Sequence, residues 1–128
     1  MSGFYLLEYE YGITGNVLCL RISYWLLQIG ASGTYEDTIY YFNLENGKRL
    51  SLKETLKEFN LTEDKLIEKI NLHLKEQYKK GDFRITENEY IKNFKYDIKE
   101  AFLKSDKIFE ITVDSDYIME KMNITVKI

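Results

Sequence analysis

The chain has no proline, one cysteine and one histidine in 128 residues. Without proline, every turn must be made by Gly, Asn, Asp and Ser. A lone cysteine, Cys19, rules out an internal disulfide, which fits the cytosol and equally many bacterial extracytoplasmic domains. The chain also lacks a basic excess. Its formal net charge is -3, and phosphate binding needs a positive field, so no nucleic-acid partner is expected. No apolar run approaches the roughly 20 residues of a membrane span, so no membrane insertion by the chain itself is expected. No basic-then-apolar leader opens it, so no signal peptide is expected.

What is present is globular: 45% hydrophobic and 30% charged residues. A single domain over residues 1–128 is expected, of a size that buries about two-thirds of its unfolded surface. Ten of the 19 aromatic residues fall between Phe4 and Phe42, whereas 15 of the 18 Lys and Arg follow Leu52. That asymmetry implies a strand-rich front and a helix-bearing back within one unit.

Alternation around Tyr5, Leu7, Tyr9 and Tyr11 predicts a half-buried strand. Gly12 to Asn16 reads as a turn, and Val17 to Ile29 as a long strand. In it, Leu18, Leu20, Ile22, Tyr24 and Leu26 share one face, and Cys19, Arg21 and Ser23 the other. Gly30 to Gly33 reads as a loop, Thr38 to Glu45 as the next strand, Asn46-Gly47 as a turn and Lys48 to Leu52 as a short return strand. Ser51 with Glu54 is a capping box that starts a short helix ending near Phe59. Thr62 opens the main helix, striped by Leu66, Ile67, Ile70, Leu74 and Tyr78 and closed by Gly81. Thr86 and Glu89 open a third helical segment carrying Tyr90, Ile91 and Phe94. Strands over 101–104, 108–113 and 123–128 close the chain. The fold class expected is α+β, an antiparallel β-sheet with two or three helices packed on one face.

No catalytic constellation emerges. His73 lies at the edge of the helical stripe, flanked at i±4 by Lys69 and Gln77; Glu76 is the only carboxylate in helical reach. Cys19 is mid-strand with Arg21 on the same face, and a packed thiol is the simpler expectation. Asp114-Ser115-Asp116, with Glu120, resembles the start of a calcium loop. It lacks the glycine and the distal glutamate at the required spacing, so a polar turn is expected and no metal or cofactor. Gly30 and Gly33 precede no helix and make no phosphate cradle. The front aromatics, Tyr5, Tyr9, Tyr11, Tyr24, Trp25, Tyr35, Tyr40 and Tyr41, are too many for so small a sheet to bury. They split between a sheet core and a protein or glycan contact surface.

The segments V-L-C-L-R-I-S-Y-W, G-A-S-G, and I-Y-Y-F-N-L-E-N-G-K-R-L-S-L-K-E-T-L-K-E-F, then A-F-L-K-S-D-K-I-F-E-I-T-V and I-T-V-K-I, carry a resemblance. Over roughly Phe4 to Ile128 the chain resembles the C-terminal domain of unknown function of the RsiV type. RsiV is the lysozyme-sensing anti-sigma-V factor, and the domain is also attached to some peptidoglycan deacetylases. Ser32 stands where members of that family often carry histidine. The resemblance implies a non-catalytic, extracytoplasmic binding or sensing module of the bacterial cell envelope, and either an excised C-terminal domain or a short stand-alone member. Its ligand would be a protein or a cell-wall glycan. On position and composition, Gly30, Ser32, Gly33, Tyr35 and Tyr41 are the candidate binding residues. Two other readings remain open: a cytoplasmic interaction or immunity-type protein, and a hydrolase built on His73 or Cys19.

Overall fold

The computed structural model describes residues 3–28, 33–81, 83–116 and 122–128. The fold is α+β and antiparallel throughout, but the strands form two sheets rather than one. Strands β1 (Gly3–Thr14), β2 (Val17–Gln28), β3 (Thr34–Asn43) and β4 (Arg49–Leu50) make a four-stranded meander in chain order. Strands β5 (Phe102–Lys104), β6 (Ile108–Val113) and β7 (Met122–Lys127) make a three-stranded one. Between them run α1 (Leu52–Lys57), α2 (Glu63–Lys80), α3 (Glu87–Asn93) and a 3-10 turn, Ile98–Glu100.

Each helix starts where a side chain satisfies its free amides. Ser51 and Glu54 form the reciprocal box at α1. The Thr62 hydroxyl accepts from Lys65 N at α2, and the Thr86 hydroxyl from Glu89 N at α3. The buried stripe Leu66, Ile70 and Leu74 joins one core with Phe109, Ile111 and Val113 of β6 and Ile124 and Val126 of β7. These strand residues all point to the helical side. The other face of the small sheet, carrying Glu110, Thr112 and Asn123, turns toward the large sheet.

The two sheets meet at Gly12. The sequence places this residue in a turn, but β1 runs on through Thr14 and the turn is the two-residue pair Gly15-Asn16, with φ +55° at Gly15. A Cβ at Gly12 would lie 2.5 Å from the Leu103 carbonyl oxygen and 2.9 Å from Lys104 backbone atoms, so a glycine there lets β1 rest directly on β5. Hydrogen bonds cross the same seam. Leu103 N donates to Cys19 Sγ at 3.3 Å, the Thr14 hydroxyl donates to Lys104 O at 2.8 Å, and the Tyr41 hydroxyl donates to Ala101 O.

Strand β3 also begins earlier than the sequence suggests. Thr34, Tyr35 and Glu36 are strand residues paired with Leu26, Trp25 and Tyr24, ahead of the Thr38 start that the sequence indicates. The long β2 offers a ladder that carries β3 beyond what its own composition indicates; pairing decides strand ends more than propensity does.

Candidate functional site

Pleating sorts the first three strands into two unlike faces. The outer face carries Tyr5, Leu7, Tyr9, Tyr11 and Ile13 of β1. Across from them stand Leu26, Tyr24, Ile22, Leu20 and Leu18 of β2, and beyond these Thr34, Glu36, Thr38, Tyr40 and Phe42 of β3. Tyr5, Leu7, Tyr9 and Tyr11 are 69%, 68%, 72% and 64% exposed. Glu36 is the one charge these three strands place there. Arg49 of β4 lies over the Tyr40 ring at 4.7 Å and marks the margin.

The inner face holds the charges: Glu8, Glu10, Arg21 and Asp37. Arg21 is the hub. It donates to Glu10 at 2.5 Å and to Glu110 of β6 at 3.1 Å, and its guanidinium lies 4.5 Å over the Phe102 ring. Lys104 Nζ donates to Glu110 at 2.7 Å. Glu110 is 8% exposed. Burial alone would raise its pKa; the hydrogen bonds and charges of Lys104 and Arg21 outweigh that and hold it below the usual carboxylate range.

Where the sheets part, a cleft of about 520 Å³ opens, lined by Arg21, Tyr35, Glu36, Asp37, Glu100, Thr112 and Asn123. Asp37 Oδ1 accepts from the Ser23 hydroxyl at 2.6 Å and from the Tyr35 hydroxyl at 2.5 Å. Burial, then this carboxylate, push the Tyr35 phenol up. Trp25 stands opposite Tyr35 on the same face with ring centroids 4.2 Å apart. Arg21 already neutralises two carboxylates, so the cleft offers mainly hydrogen-bond acceptors.

The sequence candidates fare differently. Gly30 and Ser32 lie outside the described residues. Gly33 is exposed just before β3, and Tyr35, 46% exposed, lines the cleft. Tyr41 is corrected: it is 4% exposed, and burial pushes its phenol far up. Its place on β3 turns it inward onto the β5 seam, so it belongs to the core and not to a contact surface. Arg21, Asp37, Glu110, Thr112 and Asn123 were not among the candidates. A charge isolated between apolar strand neighbours, as Arg21 is, was the available signal.

Cys19 is fully buried, and burial pushes its thiol up to about 12, against the lowering effect of Leu103 N–H and Arg21. His73 is half-buried beside Lys69, Leu72 and Glu76 in a shallow depression, and among the described residues it makes no hydrogen bond or ion pair. Asp114 and Lys95 exchange backbone hydrogen bonds, and Asn93 Oδ1 accepts from the Ser115 hydroxyl and Asp116 N, as a polar turn requires. Glu120 lies outside the described residues. Among the described residues no group of acidic, His and Cys side chains is placed to hold a metal, and no helix is long and apolar enough to cross a membrane.

The chain matches no protein-family model, and no curated protein matches it.

Proposed function

We propose that the chain is a non-catalytic binding module that docks on protein through the outer face of β1, β2 and β3. The observation that carries this is an apolar outer face left open on a sheet whose inner face already supplies Val17, Cys19 and Tyr41 to the core. A one-sided antiparallel sheet ordinarily turns its apolar face to the core and its polar face to water. Here the open face carries Tyr5, Leu7, Tyr9 and Tyr11, and the face toward the second sheet carries Glu8, Glu10, Arg21 and Asp37. A contiguous apolar surface of this kind marks an interaction site, and exposed tyrosines bring contact area at low entropy cost. The extracytoplasmic, cell-envelope setting rests on the resemblance to the RsiV-type domain. No catalytic role enters the proposal, because the Cys19 thiol is held protonated and His73 has no carboxylate partner among the described residues.

The experiment is a binding panel with the wild-type chain and a Leu7→Glu/Tyr9→Glu variant. Lysozyme, soluble peptidoglycan fragments and the chain itself serve as probes, and circular dichroism checks that the variant folds. Protein binding that the variant loses supports the docking face. No protein binding, or binding the variant retains, refutes it. Binding of the peptidoglycan fragments alone would move the site to the Trp25–Tyr35 pair beside the cleft.

A further inference from the structure

We propose that the outer face is the interface of a homodimer, in which two copies pack face to face about a twofold axis; this rests on the docking reading above.

Strands about 35 Å long, three abreast at about 4.8 Å spacing, project roughly 500 Å². Side-chain relief adds to that. With 150–250 Å² buried by a tyrosine, Tyr5, Tyr9 and Tyr11 at 64–72% exposure leave roughly 400 Å² open by themselves. Before that relief is added, the face already lies at the upper end of the 300–600 Å² of a typical monomer's largest apolar patch, the range in which a small interface, below the ~800 Å² per partner of a standard one, is built.

The chain carries a net charge of -3, so two copies repel unless they meet where charge is absent. The outer face comes nearest to that, with Glu36 the one charge its three long strands carry. Glu8 and Glu10, on the same strand, point away from it, and Arg49 at the β4 margin can face Glu36 of the other copy across a twofold axis.

Two twisted antiparallel sheets stack about 10 Å apart with interdigitating side chains, and this pairing needs no concave partner. Edge-to-edge pairing through β1 is less favourable, because it would bring the Glu8 and Glu10 side chains of two copies together along one edge.

Analytical ultracentrifugation of the full chain across a concentration series tests the proposal. The wild type is expected to sediment as a dimer that dissociates on dilution. Tyr9→Glu, at the middle of the face and 72% exposed, is expected to raise the dissociation constant at least ~30-fold, the conversion of a hot-spot loss. Tyr11→Lys is the second variant, in case Tyr9→Glu fails to fold by circular dichroism. Glu8→Lys, on the opposite face of the same strand, is expected to leave the dimer intact. A wild type that stays monomeric at all concentrations overturns the dimer. So does a dimer that survives Tyr9→Glu and Tyr11→Lys, or one that Glu8→Lys dissociates. A monomer whose outer face binds lysozyme in the panel above overturns the dimer while leaving the docking reading standing. A monomer that binds no protein removes both.

Discussion

Gly12→Ala is the sharpest test of how the two sheets are joined. The added methyl would sit 2.5 Å from Leu103 O and 2.9 Å from two backbone atoms of Lys104. Backbone cannot rotate aside as a side chain can, so β1 and β5 must separate by roughly 1 Å to reach ordinary contact. Overpacking of this kind costs about 1–3 kcal/mol. The same movement stretches the Leu103–Cys19, Thr14–Lys104 and Tyr41–Ala101 hydrogen bonds, which places the cost toward the upper end. Reduced unfolded-chain entropy returns about 0.5–1 kcal/mol. The net expectation is a loss of about 2 kcal/mol, or roughly 8 °C in Tm for a domain of this size. Urea unfolding followed by tryptophan fluorescence and circular dichroism measures it. Gly47→Ala is the control: φ is +69° and nothing lies within 4 Å, so only left-handed strain of about 1 kcal/mol is expected. A Gly12→Ala protein within about 0.5 kcal/mol of wild type, or no worse than Gly47→Ala, would refute the close approach.

Three further outcomes follow from the buried polar groups. Glu110→Gln, which leaves Arg21 with Glu10 alone and frees Lys104, is expected to cost about 1–3 kcal/mol in urea unfolding; a neutral substitution would contradict the hub. Because the folded-state pKa of Glu110 is depressed, its contribution is present above the unfolded value of 4.5 and is lost as pH falls through the lower folded value. Acid unfolding should therefore be shallower below pH 4.5 in Glu110→Gln than in wild type, and parallel curves would contradict this. Cys19 should resist a thiol reagent at pH 8 until the protein unfolds, with labelling that tracks the urea transition; rapid labelling of the native chain would contradict its burial.

Local signals in the sequence correspond well to what forms. The Ser51 and Glu54 box, the Thr62 and Thr86 caps and the Leu66-Ile70-Leu74 stripe all depend on residues within a few positions of one another. What was not legible depends on distant pairs. Gly12 looks like a turn glycine until β5, some 90 residues later, is brought against it. Arg21 and Glu110 meet across the two sheets. Thr34 to Glu36 carry no strand signal of their own until they are paired with β2. Tyr41 looks like the other front tyrosines, and its strand parity decides that it is buried. The excess of front aromatics did point to rings that the sheet leaves exposed. Which tyrosines these are follows from the pleat, and the cleft between the sheets had no contiguous signature.

The central claim is that the outer face of β1, β2 and β3 is open within the chain and closed by a partner. Hydroxyl-radical footprinting of the purified protein over a dilution series measures this residue by residue. Tyr9 is expected to oxidise rapidly in the dilute monomer and to become protected as concentration rises, while Tyr41 stays protected throughout as the internal reference. A Tyr9 that is as protected as Tyr41 at every dilution would contradict the account.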